Sequence, residues 1–260
     1  MIKRIAQEKA REVEARAKRT PLPVLKEALT QCPTPRDFAA ALIQDGRVSL
    51  IGEIKSASPS AGTIRAGIDP GQLARIFETG GVAAVSVLTE ERFFGGRLEY
   101  LSRVRECCSL PILQKDFILD EYQVYEARVY GADALLLIAR LLSEQKLAAL
   151  FHLSHGLGLV PLMEVHDLRD VGKVLDIGAQ IIVINNRDLE TFAVDLGTTS
   201  RLRPHLPRDK VVISASGIKS AADVVMLART GVHALLVGEA IMRSADIPQK
   251  VEELISAASR

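Results

Sequence analysis

From position 48 onward the chain alternates short, almost wholly apolar runs with longer amphipathic stretches. The runs cover 48–55, 82–89, 111–115, 132–138, 160–164, 180–185, 210–214 and 233–238 and are rich in Val, Ile and Leu. Runs of that length and composition predict parallel strands covered on both faces. The stretches between them suffice for a helix and a return turn, so the pattern reads as eight βα units. A recurrent glycine supports this: Gly81-Val82-Ala83-Ala84, Gly131-Ala132-Asp133-Ala134, Gly178-Ala179-Gln180 and Gly231-Val232-His233-Ala234 return at intervals of roughly fifty residues, two units each. Glycine suits the place because a helix commonly ends there in the left-handed conformation. Eight units favour a closed (β/α)8 TIM barrel of the α/β class over a doubly wound open sheet.

Ahead of the strands, Ile2, Ile5, Ala6, Ala10, Val13 and Ala17 fall at three- and four-residue steps among Lys, Arg and Glu, which predicts an amphipathic helix over 1–18. Thr20-Pro21-Leu22-Pro23 ends it, a second helical stretch is expected over 37–44, and Asp45-Gly46 reads as a turn. Residues 1–46 are therefore expected to be a helical extension of a single barrel domain spanning 1–260.

Composition narrows the partner. Hydrophobic residues make up 48% and charged residues 25% of the 260, which excludes a disordered chain. Lys and Arg number 33 against 32 Asp and Glu, so no basic field exists for nucleic acid or an anionic membrane, and a small molecule is the expected partner. No run of about twenty apolar residues predicts a membrane span, and the start lacks the pattern of a signal peptide. Cys32, Cys107 and Cys108 have the spacing of neither a metal site nor a disulfide framework, which points to the cytoplasm. His152, His155, His166, His205 and His233 offer no metal-ligand spacing, so no metal is expected.

In such a barrel the chemistry sits at the C-terminal ends of the strands. The two-residue period puts Ile51, Glu53 and Lys55 on one face of the first strand, and aims Lys115 inward with Leu113, Glu164 with Leu162, and Asn185 with Val183. Two lysines, two glutamates and an asparagine then converge in one cup, where they can shift one another's pKa and divide acid and base roles. An ion pair of Glu53 and Lys55 that merely caps the core is the alternative for that pair alone. The last strands end in Ser214-Ala215-Ser216-Gly217 and Val237-Gly238-Glu239-Ala240, places where barrels commonly bind phosphate through backbone N–H groups. The loop from Ser56 to Gly62 is small and flexible enough for a lid, and Phe93, Phe94 and Phe117 could wall a pocket for an aromatic ring.

Read in order, Ile51-Gly52-Glu53-Ile54-Lys55-Ser56-Ala57-Ser58-Pro59-Ser60, Val87-Leu88-Thr89-Glu90 with Phe93-Phe94-Gly95-Gly96, Leu113-Gln114-Lys115-Asp116-Phe117-Ile118, Met163-Glu164-Val165-His166, Ile184-Asn185-Asn186-Arg187-Asp188-Leu189, Ser216-Gly217-Ile218 and Leu236-Val237-Gly238-Glu239-Ala240 resemble the motifs of indole-3-glycerol phosphate synthases across essentially the whole chain. The resemblance implies closure of the indole ring of 1-(2-carboxyphenylamino)-1-deoxyribulose 5-phosphate with loss of carbon dioxide and water, in tryptophan biosynthesis. It implies no cofactor and no metal, a phosphorylated small-molecule substrate, and a monomer or weak homo-oligomer. It also implies that the N-terminal extension lies across the catalytic face.

Carried over by motif, Lys115 would be the general acid at the ketone, and Lys55 would pair with a substrate anion and help in proton transfer. Glu164 would stabilise the cationic intermediate or act in the dehydration, and Glu53 and Asn185 would position the lysines and the substrate. Ser216, counted with the catalytic set, would hold the phosphate with Gly217, Gly238 and Glu239. Ser58, Phe94, Phe117 and Arg187 would bind substrate. Two positions depart from the family: Ser56 stands where a basic residue is common, and Ala215 where the run usually reads Ser-Glu-Ser-Gly. They motivate one alternative, a catalytically weakened barrel acting as a partner protein; another is a barrel resembling phosphoribosylanthranilate isomerase, against which the combination of Lys55, Lys115 and Glu164 argues.

Overall fold

A computed structural model describes residues 2–44 and 46–258. Met1, Ser259, Arg260 and Asp45, which begins the expected Asp45-Gly46 turn, lie outside the described residues. The eight apolar runs form strands β1 (Ser49–Ile54), β4 (Ala84–Leu88), β5 (Ile112–Lys115), β6 (Ala134–Ile138), β7 (Val160–Val165), β8 (Ile181–Asn185), β9 (Val211–Ala215) and β10 (Ala234–Val237). All pair in parallel, and β1 joins both β4 and β10, so the sheet closes into a barrel. The loop after β1 folds as a small antiparallel pair, β2 (Ala57–Ser58) and β3 (Gly62–Thr63).

The period of two divides the core. Ile51, Leu113, Leu136, Leu162, Val183, Ile213 and Leu236 pack together inside the barrel. Their neighbours Leu50, Ile112, Leu135, Met163, Ile182, Val212 and Leu235 pack outward against the helices. Near-continuous apolar runs were needed because both faces are buried. The helices return through Gly81, Gly131, Gly178 and Gly231, at φ of 82°, 90°, 88° and 81°, which gives the glycine repeat its backbone cause.

The extension holds both ends of the barrel. Helix Phe38–Leu42, capped by the Asp37 side chain, sends Phe38 and Leu42 into the inner cluster, and the Ser49 hydroxyl at the start of β1 donates to the Leu42 carbonyl at 3.0 Å. Helix Ile2–Arg19 buries Ile5, Lys9 and Val13, one residue per turn, and Ile5 enters the inner cluster beside Phe117 at the mouth. Lys9 is fully buried and lies 3.0 Å from Asp116 and 3.0 Å from Glu12. Burial opposes its charge, yet these two carboxylates hold its pKa above the ordinary value. Asp116 in turn accepts from the Thr89 hydroxyl at 2.6 Å and the Phe117 N–H at 2.7 Å. Arg16 grips Glu126 through two bonds of 2.8 and 2.9 Å.

Within the extension the pattern reading missed a helix. Helix Leu22–Ala28 starts inside the Thr20-Pro21-Leu22-Pro23 run that ends the first helix. Proline stops a helix from its interior but is tolerated in the first turn, where the missing N–H has no partner to lose, so the same prolines also start one.

Gly178 separates backbone strain from packing, because nothing lies within 4 Å of a Cβ built there, whereas one on Gly131 would meet Arg105 Cδ at 2.6 Å. Gly178→Ala is expected to cost about 1–2 kcal/mol in urea unfolding, the price of a left-handed L-residue, with the slope unchanged. Gly131→Ala is expected to cost more, since Arg105 is held by Asp133 at 2.7 Å.

Candidate active site

The inward positions run out of apolar partners at the C-terminal ends of the strands, and there a cavity of about 800 Å³ opens. The thirteen residues given catalytic or substrate-binding roles from the sequence line it: Glu53, Lys55, Ser58, Phe94, Lys115 and Phe117 from the first half of the barrel, with Glu164, Asn185, Arg187, Ser216, Gly217, Gly238 and Glu239 from the second. Phe93, the third ring expected in the aromatic wall, does not line it and packs against the inner cluster instead.

The charges form two pairs. Lys55 Nζ lies 2.7 Å from Glu53 Oε1, and Lys115 Nζ lies 3.6 Å from Glu164 Oε2. The side chains of Glu53 and Glu164 are 6% and 1% exposed against 15% and 20% for the lysines. The carboxylates therefore stand behind and the ammonium groups face the cavity. Burial pushes the Glu53 carboxyl up, but the charges of Lys55 and Lys115, with Arg187 beyond them, bring it below its ordinary value, so it is an anion at neutral pH. Asn185 ties the second pair in place, donating to Glu164 Oε1 at 3.1 Å and accepting from the Arg187 N–H at 3.0 Å. Arg187 spans the mouth to the Ser60 hydroxyl at 3.0 Å and Glu239 at 3.5 Å.

Opposite the charges is an apolar wall. The rings of Phe94 and Phe117 lie 6.0 Å apart at 40°, with Leu88, Ile138 and Leu236 also lining the cavity. Sequence reasoning missed the other contributors: Ile2 and Ile5 from the first helix, and Leu189, Phe192 and Val194 from the loop after β8. Their signal was weak, since single apolar residues in loops look like any surface contact. That loop is bridged between Arg187 and Val194 and carries Phe192 at φ 61°, a left-handed conformation that is uncommon for a ring-bearing residue.

At the last two strand ends, Ser216 and Gly217 both have positive φ, 71° and 85°, and Gly217 has no room for a side chain because Val194 lies against it. Gly238 begins the short helix Glu239–Arg243 without a side-chain cap. A Cβ on Gly238 would sit 2.9 Å from Glu53 Cβ and closer still to its carboxylate, so this glycine makes space for Glu53 as well as opening the loop. The sequence reading had given Gly238 the second task alone.

The comparisons with known proteins agree with this geometry. A profile of the indole-3-glycerol phosphate synthase family matches residues 2–254. The chain belongs to the indole-3-glycerol phosphate synthase family. Indole-3-glycerol phosphate synthase of Dehalococcoides mccartyi (strain CBDB1) is 46% identical over 98% of this chain and 100% of its own length, and that of Desulforamulus reducens is 43% identical over 100% and 98%. The fold recurs in 3-hexulose-6-phosphate synthase from Salmonella typhimurium, with a TM-score of 0.64 at 14% identity over 81% of this chain and 98% of that one. The two departures from the indole-3-glycerol phosphate synthase pattern have clear places. The Ser56 hydroxyl donates to the carbonyls of Phe94 at 3.1 Å and Gly95 at 2.8 Å, tying the first loop to the aromatic wall. Ala215 is buried, lines the cavity and pairs in register with Asn185.

The depressed Glu53 carboxyl fixes a pH dependence. Its folded pKa lies below the ordinary 4.5, so its stabilising contribution is complete above that value and is lost as pH falls through the folded one. The stability gap between the native protein and Glu53→Gln is therefore expected to narrow as urea unfolding is moved from about pH 7 to below about 4.5. A gap independent of pH would contradict the ion pairing.

Proposed function

We propose that this cup closes the indole ring of 1-(2-carboxyphenylamino)-1-deoxyribulose 5-phosphate. The observation that carries the reading is the pair of lysine ammonium groups, each backed by a buried carboxylate, opposite an aromatic wall. An aryl ring stacks on Phe94 and Phe117, and its carboxylate-bearing carbon attacks the ketone carbon. The new C–C bond drives electrons onto the ketone oxygen, where Lys115 supplies the proton and stabilises the developing charge. Carbon dioxide then leaves, its bonding electrons restoring the aromatic ring. Lys55 meets the substrate's anionic groups and helps deliver the proton with which the hydroxyl departs as water, and the neighbouring carbon gives up its proton to a carboxylate of the cup.

Glu164 faces the positive charge that ring closure places on the anilino system, and Glu53 and Asn185 hold the lysines and the substrate in place. The phosphate fits the loops at Ser216, Gly217 and Gly238. The Glu239 carboxylate is engaged by Arg187 and by Arg243 at 3.1 Å, so any help from Glu239 comes through its backbone N–H. Ser58 and Arg187 close over the substrate from the first and sixth loops. The protein is a monomer or weak homo-oligomer in this reading, with residues 1–46 part of the same domain. The free cysteines Cys32, Cys107 and Cys108 suit the cytoplasm.

Purified protein incubated with the substrate is expected to generate indole fluorescence, against little background because the chain has no Trp. Lys115→Ala is expected to lower kcat about a thousandfold. Ala215→Glu is expected to change turnover by less than about tenfold, since it alters the charge of the cup and removes no proton donor. Absence of signal with intact substrate would leave the weakened-barrel reading standing, and a native rate in Lys115→Ala would remove the assignment of the acid.

A further inference from the structure

Among the described residues, five buried side-chain polar atoms lack a hydrogen-bond partner, and three of them belong to one contact: Glu164 Oε2 and both ring nitrogens of His166. Buried polar atoms in folded proteins are nearly always paired, so orphans gathered at one point call for a reason. Glu164 Oε2 faces Lys115 and the cavity. His166 does not line the cavity; its ring is 3% exposed and stands behind Glu164. Nε2 lies 3.4 Å from Glu164 Oε1, and Nδ1 lies 3.6 Å from Asp170 Oδ2. The imidazole is wedged between two carboxylates, just beyond good hydrogen-bond distance of each.

The far carboxylate is itself anchored. Asp170 Oδ2 accepts the His166 backbone N–H at 3.0 Å and Arg140 Nε at 3.3 Å. Burial raises the Asp170 carboxyl, but His166 and Arg140 hold it below its ordinary range. Arg140 also grips Asp167 at 2.9 Å and lies 3.7 Å from Asp188. One side of the ring thus rests on a fixed, charge-paired anion, and the other touches the carboxylate behind the catalytic cup.

We propose that His166 is a positioning residue that holds Glu164 in the rotamer that turns Oε2 toward Lys115. Its Nε2–H serves Glu164 Oε1, and the Asp170 carboxylate, 3.6 Å from Nδ1, limits how far the ring can turn. Asn185 already donates to the same oxygen, so Oε1 has two donors from behind and Oε2 is left for the substrate side. A contraction of about half an ångström brings Nε2 into hydrogen-bond distance, of the kind catalytic sites undergo when a substrate binds. Without the imidazole, Glu164 Oε1 stays buried and loses a donor, so the carboxylate is free to turn away from Lys115. The charged groups bearing on this are Glu164 and His166 at the end of β7, Lys115 from β5, Asp170 from helix Leu168–Asp176 and Arg140 from the turn after β6.

This inference rests on the proposed role of Glu164, and the test reads it both with and without turnover. His166→Ala and His166→Asn are expected to lower kcat about ten- to a hundredfold and leave KM within about twofold. His166→Gln places an amide N–H where Nε2 stood and is expected to recover most of the loss. In histidine-labelled protein without substrate, the His166 ring resonances are expected to shift position in Glu164→Gln. A native kcat in His166→Ala, loss of kcat and KM together without rescue by Gln, or ring resonances indifferent to Glu164→Gln would each overturn the proposal. If the unaltered protein shows no turnover, the synthase reading fails alone, and the ring resonances still decide whether His166 serves Glu164.

Discussion

Each strand of a closed parallel barrel offers one row of inward side chains, and at the mouth that row passes from apolar packing to charge within a single step. Ile51 is followed inward by Glu53, and Leu162 by Glu164. Both carboxylates are nearly dry, at 5% and 1% exposure. An unpaired charge so placed costs several kcal/mol, so each demands a cation, and the only direction left for that cation is the cavity. The lysines are held toward a ligand because the glutamates behind them leave no other arrangement. Asn185 and the bare backbone of Gly238 are further consequences of fitting two carboxylates into the rim of a packed cylinder.

The N-terminal helix extends this arrangement beyond the barrel. Lys9 is buried against Asp116, the residue after Lys115, and Asp116 is bound in turn to Thr89 at the end of β4. A helix that might have been an ornament thus shares a charge network with the end of β5, and through Ile2 and Ile5 it supplies apolar surface to the cavity. The apolar wall is consequently assembled from distant parts of the chain, the extension and the loop after β8.

The barrel was legible because burial on both faces leaves so distinct a trace, eight apolar runs with glycine before alternate strands. The site was legible for the same reason: a polar residue in phase with Ile51, Leu113, Leu162 or Val183 has nowhere to point except inward. What was not legible depended on contacts between distant segments. Helix Leu22–Ala28 hid behind prolines that serve equally as stop and start signals. Lys9 looked like one more charge on the polar side of an amphipathic helix, because its partner lies on another strand. Gly238 advertised a turn, while its closest constraint is the Glu53 side chain. His166 sat two residues from Glu164 with nothing in its spacing to separate a positioning residue from a turn residue.

The clasp made by Lys9 joins positions 107 residues apart, and that of Arg16 with Glu126 joins positions 110 apart. Ribosomes build a chain from its N-terminus, so the first helix emerges well before the strand that receives its lysine has been made. At synthesis rates of about 5–20 residues per second, that delay is on the order of 5–20 s, far longer than a helix takes to form. The first helix is therefore born with Lys9 in water and loses that water only when β5 arrives. The rim of the barrel cannot be complete until β10, the last strand made, pairs with β1, the first. In this molecule a helix made before any strand of the barrel is among the last segments to find its place.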